Sequence, residues 1–110
     1  MKRFCLALDL KDDPDLIAKY IAHHKNVSAT IKTSITNAGI TVMDIYCTGT
    51  RLFMIMETTD DFDFDKKVAM DAANEKVQEW EALVGEFQQQ LPWSKPDEKW
   101  VLMDQIFKLY

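Results

Sequence analysis

Ile40-Thr-Val-Met-Asp-Ile-Tyr-Cys-Thr48 is the first half of a segment that continues, after Gly49-Thr50, with Arg51-Leu-Phe-Met-Ile-Met-Glu57. Side chains alternate between two faces along a strand. The alternation assigns Ile40 and Val42 to one face and Met43, Ile45 and Cys47 to the other. The second half is an apolar run of strand length. Two such runs joined by a short turn with glycine predict a β-hairpin.

Upstream of the hairpin, residues 3–10 are short and rich in apolar side chains, which predicts a first strand. Pro14 follows two aspartates, the arrangement that begins a helix. Apolar residues then recur at helical spacing to His24 and again over residues 27–37, before the stop signal at Gly39. This region is therefore two helices, or one helix bent near Asn26.

Downstream, an acidic loop or helix start covers residues 58–65, and residues 71–90 predict one long helix. Its apolar stripe consists of Val77, Trp80, Leu83, Val84 and Phe87. A loop with two prolines follows, and Trp100–Leu109 predicts a final strand. The order β-α-β-β-α-β is that of a ferredoxin-like α+β sandwich, an antiparallel sheet with helices on one face.

A sheet covered by helices on one face leaves its other face without a partner. Either Met54 and Met56 or the alternate residues Phe53 and Ile55 point away from the helices. Closing two such sheets face to face would form a homodimer, a dimeric α/β barrel. Neither a linker nor an internal repeat interrupts the pattern, so residues 1–110 are expected to form one domain.

Composition narrows the possible partners and the compartment. The formal net charge of −5 and the lack of a basic stripe argue against a nucleic-acid surface. Asp9 interrupts the apolar N-terminal stretch, which otherwise resembles a signal peptide, and no apolar run reaches the length of a membrane span. Cys5 and Cys47 lie in apolar runs and are expected to be buried free thiols. We therefore expect a cytoplasmic protein that does not bind membranes.

The residues best suited to chemistry are Tyr20 and His24, which lie one helical turn apart on the same face. Imidazole is the side chain that moves protons most readily near neutral pH, and a phenol can orient a hydroxylated ligand. The alternative is an ordinary surface histidine. The chain has two histidines, and His23 points about 100 degrees away from His24, so the pair cannot hold one metal ion.

Other motifs for metals and nucleophiles fail. Asp61-Phe-Asp-Phe-Asp65 resembles the start of a calcium-binding loop, but Lys66 replaces the required glycine. No phosphate-binding glycine loop or nucleophile elbow is present. The residues therefore predict no metal site and nominate no serine or cysteine nucleophile. Trp80, Trp93 and Trp100 either stack on a sugar ring or pack in the core.

Several segments resemble the L-rhamnose mutarotases over nearly the whole chain. They are Tyr20-x-x-x-His24, Gly39-Ile-x-x-x-x-Ile45-Tyr46, Leu52-Phe-Met-Ile-Met-Glu57, Val77-Gln-Glu-Trp80 and Met103-Asp-Gln-Ile-Phe-Lys-Leu109. The resemblance rests on the order and spacing of these segments. It implies a small cytoplasmic homodimer of ferredoxin-like subunits that interconverts the anomers of a 6-deoxyhexose without a cofactor.

The resemblance also implies roles for individual residues. His24 matches the proton donor of the family, and Tyr20 matches a residue that binds sugar. Trp80 and Glu81 occupy the places of a tryptophan pair, and Met43 occupies the place of a further sugar-binding tyrosine. Because two of these positions differ from the family, L-fucose or another deoxyhexose rivals L-rhamnose as substrate.

The sequence leaves two other functions open. Oxygenases and haem-degrading proteins share the dimeric α/β barrel, although a shared fold does not establish a shared function. A non-catalytic sugar-binding or sensor protein is the other alternative, since altered pocket residues can accompany a loss of activity.

Overall fold

The computed structural model describes residues 1–110. Its elements are β1 (Lys2–Leu10), α1 (Pro14–His24), α2 (Ala29–Asn37), β2 (Ile40–Thr48), β3 (Arg51–Thr58), α3 (Phe64–Ala72), α4 (Glu75–Gly85), β4 (Gln88–Gln89) and β5 (Val101–Leu102). All paired strands are antiparallel, in the order β2-β3-β1-β4, and β5 also pairs with β1. The predicted ferredoxin-like α+β fold is confirmed.

The region between β1 and β2 forms two separate helices, which settles the alternative left open by the sequence. The Ser28 hydroxyl accepts a hydrogen bond from the backbone N–H of Ile31 at 3.3 Å and so begins α2. Gly39 ends the connection with φ of +94°, a conformation that residues with a Cβ rarely adopt.

The helices cover one face of the sheet, and two groups of side chains fill the space between the layers. The first core cluster consists of Leu6, Ile40, Met54, Met56 and Phe62. The second core cluster consists of Leu10, Tyr20, Leu52, Val84 and Phe87. Met54 and Met56 therefore face the helices, and Phe53 and Ile55 lie on the open face.

The predicted faces of β2 are wrong at its start. The register with β3 shifts between Ile40 and Val42, so that one extra residue interrupts the alternation. As a result, Ile40 lies on the same side as Met43 and Ile45, which pack against the first core cluster.

The predicted single helix over residues 71–90 is also wrong. The chain leaves α3 after Ala72 and begins α4 at Glu75. The Asn74 side chain accepts hydrogen bonds from the N–H groups of Lys76 at 3.1 Å and Val77 at 3.3 Å. Asn74 has an extended backbone, with φ of −107° and ψ of 107°, so the helix is interrupted here and α4 begins as a separate helix. After α4, the chain returns to the sheet as β4.

The predicted final strand is mostly wrong, because only Val101–Leu102 pairs with β1. The last backbone hydrogen bond to the sheet runs from Met103 N–H to the Cys5 carbonyl at 2.8 Å. Beyond it, the C-terminal segment 104–110 has no regular structure, and Ile106 and Tyr110 are 96% and 99% exposed.

Two further sequence predictions concern the cysteines and the membrane. Both thiols are free, but Cys47 is exposed and Cys5 half-buried, so the expectation that both are buried is wrong. None of the helices has the length and apolar character required to cross a lipid bilayer.

Candidate active site

Helix α1 carries the two residues best suited to chemistry. The Asp13 carboxylate accepts hydrogen bonds from the N–H groups of Asp15 at 2.9 Å and Leu16 at 3.3 Å, and Pro14 follows it at the first helical position. The helix ends at His24. Its last turn stabilises positive charge, because the free carbonyl groups at this end carry partial negative charge.

His24 is fixed by a hydrogen bond within its own helix. Its Nδ1 lies 2.9 Å from the backbone carbonyl oxygen of Tyr20. A carbonyl oxygen only accepts, so Nδ1 carries the hydrogen and donates it. Nε2 is then the nitrogen left for a ligand, as an acceptor in neutral imidazole and as a donor in imidazolium.

Three rings meet at the end of α1, and we call them the ring group: Tyr20, His24 and Trp80. The centroids of the Tyr20 and His24 rings are 4.4 Å apart, which confirms that the two residues share a helical face. The Trp80 ring from α4 meets His24 edge to face at 5.2 Å. His24 and Trp80 are half-buried, so the imidazole is neither sealed in the core nor free in solvent.

Tyr20 is the buried member of the ring group, with 3% of its surface exposed. The Gln88 side-chain Nε2 donates a hydrogen bond to its hydroxyl oxygen at 3.5 Å. Burial raises the pKa of Tyr20 above its ordinary value; the Gln88 hydrogen bond opposes this shift and the nearby Cys47 adds to it. Tyr20 is thus a neutral hydroxyl at physiological pH.

His23 lies on a different side of α1. Its ring centroid is 5.6 Å from that of Phe87, and no side-chain hydrogen bond holds it. The structure thus separates the two histidines as the helical geometry predicts, and His24 belongs to the ring group while His23 does not.

Trp80 packs against the core and also lines a surface cleft. One side of the ring packs against the second core cluster. Trp80 also lines a cleft of about 230 Å³ between α2 and α4, whose other lining residues are Ser28, Ile31, Lys76, Glu79 and Leu83. His24 and Tyr20 do not line this cleft, and Trp80 is the residue that connects it to them.

The remaining tryptophans lie outside the ring group. Trp100 is half-buried and packs against both core clusters. Trp93 is exposed, with the Arg51 guanidinium 5.5 Å from its ring centre.

Two other predicted site residues lie apart from the ring group. Met43 packs against the first core cluster, whereas Tyr20 belongs to the second. Ile45, two residues further along β2, touches both clusters. Glu81 is exposed on α4 and accepts a hydrogen bond from the Gln78 side chain at 3.4 Å. Glu81 directly follows Trp80 in the sequence, whereas Met43 has no such link to the ring group.

The acidic segment before α3 has a local role. Asp63 caps α3 by accepting a hydrogen bond from the N–H of Asp65 at 2.8 Å, and Asp61 accepts one from the Thr59 hydroxyl at 2.6 Å. No group of three or more histidine, cysteine or acidic side chains is placed to hold a metal ion.

Gln88 is not among the site residues that the sequence predicts. This residue lies in β4, inside the stretch predicted as one long helix, so its approach to Tyr20 was hidden. The available signal was the run Gln88–Gln90, which ends the apolar stripe of α4 before Pro92.

The fold and the ring group define a small α+β sandwich with one immobilised imidazole beside a phenol and an indole. Comparison with known proteins identifies the class further: a family model described as L-rhamnose mutarotase matches residues 3–109. An L-fucose mutarotase from Xanthomonas campestris pv. campestris is 42% identical over 99% of this chain and 89% of that protein. The chain belongs to the L-rhamnose mutarotase family, as the resemblance predicted, and is an isomerase of that class.

Two solved structures share the fold. An L-rhamnose mutarotase from Formosa agariphila has a TM-score of 0.72 and 16% sequence identity, with complete coverage of both chains. A dimeric ferredoxin-like protein from an uncultured marine organism has a TM-score of 0.55 and 11% identity, covering 96% of this chain and 90% of that one. At these identities the likeness concerns the fold alone.

Proposed function

We propose that this chain interconverts the α and β anomers of a 6-deoxyhexose and that His24 transfers the proton. The observation that carries the proposal is the His24 imidazole itself. Its Nδ1 is bound to the Tyr20 carbonyl at 2.9 Å, and its ring lies against Tyr20 and Trp80 while remaining half-exposed. A fixed imidazole with one free nitrogen is suited to general acid catalysis.

The reaction requires one proton to be delivered and one to be removed. His24 in its imidazolium form donates from Nε2 to the ring oxygen of the sugar, while a base takes the proton of the anomeric hydroxyl. The bond between the anomeric carbon and the ring oxygen breaks, and an open-chain aldehyde forms. Rotation about the adjacent carbon–carbon bond and reversal of the same proton transfers close the ring on the other carbonyl face.

Tyr20 and Trp80 are proposed to bind the sugar. The Tyr20 hydroxyl is neutral, so it can hydrogen-bond a sugar oxygen without introducing charge. The Trp80 ring spans the distance from His24 to the α2–α4 cleft, and an aromatic face suits the C–H face of a pyranose. We place the sugar at this junction, where Trp80 meets His24.

Met43 and Glu81 are proposed as outer contacts. Met43 offers an apolar surface beside Ile45, which matches the methyl group of a deoxy sugar in character. Glu81 follows Trp80 in α4 and offers an exposed carboxylate that can accept hydrogen bonds from sugar hydroxyls. The resemblance implies only that these two positions contact sugar.

L-Fucose is the proposed first substrate and L-rhamnose the second. The 42% identity to a protein named L-fucose mutarotase supports this order. Saturation-transfer NMR on L-fucose, L-rhamnose and ordinary hexoses measures anomer exchange directly. Faster exchange with a 6-deoxyhexose supports the proposal. Sugar binding without faster anomer exchange would instead identify a sugar-binding protein. A shifted Soret band on haem titration would favour a function like that of the oxygenases and haem-degrading proteins.

A homodimer is the proposed assembly. The open sheet face presents Phe53 and Ile55, and the C-terminal segment 104–110 exposes three large apolar side chains and a tyrosine: Ile106, Phe107, Leu109 and Tyr110. Surfaces of this kind are costly in water and are typical of interfaces. Light scattering of the wild type tests the assembly, and a monomeric mass would refute it.

The cytoplasm is the proposed compartment. Both cysteines are free, which suits a reducing environment. Fractionation of the native cell tests this, and recovery outside the cytoplasm would contradict it.

A further inference from the structure

Gln88 has no role in the mechanism proposed above, although its side chain contacts Tyr20. It pairs with Leu10 across the sheet, and its neighbour Gln89 pairs with Asp9. Residues directly opposite one another on paired strands point to the same face. Leu10 is buried in the second core cluster beside Tyr20, so the Gln88 side chain also lies on the helix-covered face. Gln89 faces the other way.

The contact between Gln88 and Tyr20 has a direction. The amide Nε2 donates and the Tyr20 hydroxyl oxygen accepts, at 3.5 Å. The bond from Gln88 is the one hydrogen bond that the Tyr20 hydroxyl makes with the protein. No protein group accepts the hydroxyl hydrogen. A buried hydroxyl that accepts from one side keeps its own hydrogen for a different partner.

We propose that Gln88 is a positioning residue that makes the Tyr20 hydroxyl a hydrogen-bond donor to a sugar oxygen. This rests on the proposed function, since it specifies how Tyr20 binds the substrate. With the Gln88 amide on one side of the phenol oxygen, the O–H bond points away from Gln88. If residue 88 accepted instead, the phenol hydrogen would be used within the protein.

Three substitutions separate this proposal from a structural role. Gln88→Met keeps the length of the side chain and removes the donor. Gln88→Glu keeps the shape but presents a carboxylate, which accepts the Tyr20 hydrogen and withdraws it from the sugar. Gln89→Met is the matched control on the opposite face of the same strand. Circular dichroism and thermal unfolding verify that all variants are folded.

The readout is the dependence of anomer exchange on sugar concentration, measured by saturation-transfer NMR. Loss of one hydrogen bond that forms equally in the ground and transition states raises KM with little change in kcat. We expect Gln88→Met to raise KM about fivefold to tenfold, and Gln88→Glu to raise it at least as much. For Gln88→Glu the ratio of its KM to that of the wild type should fall as the pH is lowered, because a neutral carboxylic acid can donate again. Gln89→Met should behave as the wild type does.

A double-mutant cycle shows whether Gln88 acts through Tyr20. In a Tyr20→Phe background, Gln88→Met should have no additional effect, because the hydroxyl that Gln88 orients is gone. A full additional effect in that background would overturn the proposal. A wild-type KM for Gln88→Glu would also overturn it, since it would mean that Tyr20 donates to residue 88.

This failure is distinct from failure of the proposed function. If the wild type exchanges anomers and the Gln88 variants match it, the role of Gln88 is refuted and the mutarotase proposal stands. If the wild type does not accelerate anomer exchange of any sugar, titration calorimetry with L-fucose and L-rhamnose compares the sugar affinities of the wild type and Gln88→Met instead. Equal affinity of wild type and Gln88→Met, or no binding of either sugar, would then refute the role of Gln88.

Discussion

Replacing His24 with asparagine should remove the proposed proton transfer while preserving the local structure. The Asn side-chain N–H lies near the place of His Nδ1, so it can donate to the Tyr20 carbonyl as the imidazole does at 2.9 Å. Asparagine has no group that exchanges protons near neutral pH. The substitution therefore isolates the role of the free ring nitrogen.

The expected loss follows from the usual contribution of a single acid or base. A positioned general acid contributes about 10²–10⁴-fold, so His24→Asn should lower kcat by that factor. At ~1.36 kcal/mol for each factor of ten, this corresponds to about 3–5 kcal/mol of activation free energy. The free energy of unfolding should change by less than ~1.5 kcal/mol, because the hydrogen bond to the Tyr20 carbonyl is kept.

The assay is saturation transfer between the two anomeric proton signals of L-fucose, with and without protein. His23→Asn is the matched control, since its ring lies against Phe87 and outside the ring group. The reasoning is refuted if His24→Asn keeps its exchange rate within about threefold of wild type, well below the ~10²-fold minimum. An equal loss in His23→Asn would refute the choice between the two histidines.

Three further predictions concern stability. Gly39→Ala should lower the free energy of unfolding by about 2 kcal/mol or more, because φ is +94° and an added Cβ would lie 2.7 Å from the Thr59 hydroxyl oxygen. Gly49→Ala should cost less stability, because Gly49 has φ of +55° and an added Cβ would have no atom within 4 Å. Urea denaturation compares the two variants, and equal losses of unfolding free energy would contradict the steric argument. Asn74→Ala should cost about 1 kcal/mol in thermal or urea unfolding by removing the N-cap of α4, and no loss would show that α4 does not need this cap. Burial raises the pKa of Tyr20, so the folded state holds the phenol proton more tightly than the unfolded state does. Its contribution to stability is complete below about pH 10 and is lost as the pH rises above that value. Tyr20→Phe should make stability less dependent on pH above 10, and an unchanged slope in urea denaturation would refute this.

Local patterns determined most of the fold. The hairpin, the first strand and the start of α1 at Pro14 follow from residue periodicity, turn glycines and caps. The β-α-β-β-α-β order follows too, with each helical region formed by two helices. The spacing of Tyr20 and His24 likewise depends only on helical geometry, and the structure confirms it. These features were predictable because neighbouring residues alone specify them.

Apart from the break at the Asn74 cap, the errors in the strands and helices occur where local patterns compete with distant contacts. The stripe from Val77 to Phe87 is helical in period, but β4 forms after it because Gln88 pairs with Leu10, some 78 positions earlier in the chain. Trp100–Leu109 has strand character, yet β1 offers pairing to only two of its residues. The face that Ile40 occupies also depends on a distant contact. Pairing with β3 sets the register and places the bulge between Ile40 and Val42.

Sequence by itself determined the family, the fold class and the helix that carries His24. Only the tertiary structure placed Trp80 against that imidazole, directed Gln88 at Tyr20 and separated Met43 into the other core cluster. The physical reason is distance along the chain. A helical turn brings together residues four apart, whereas contacts between α1, α4 and β4 depend on how the whole sheet packs beneath them.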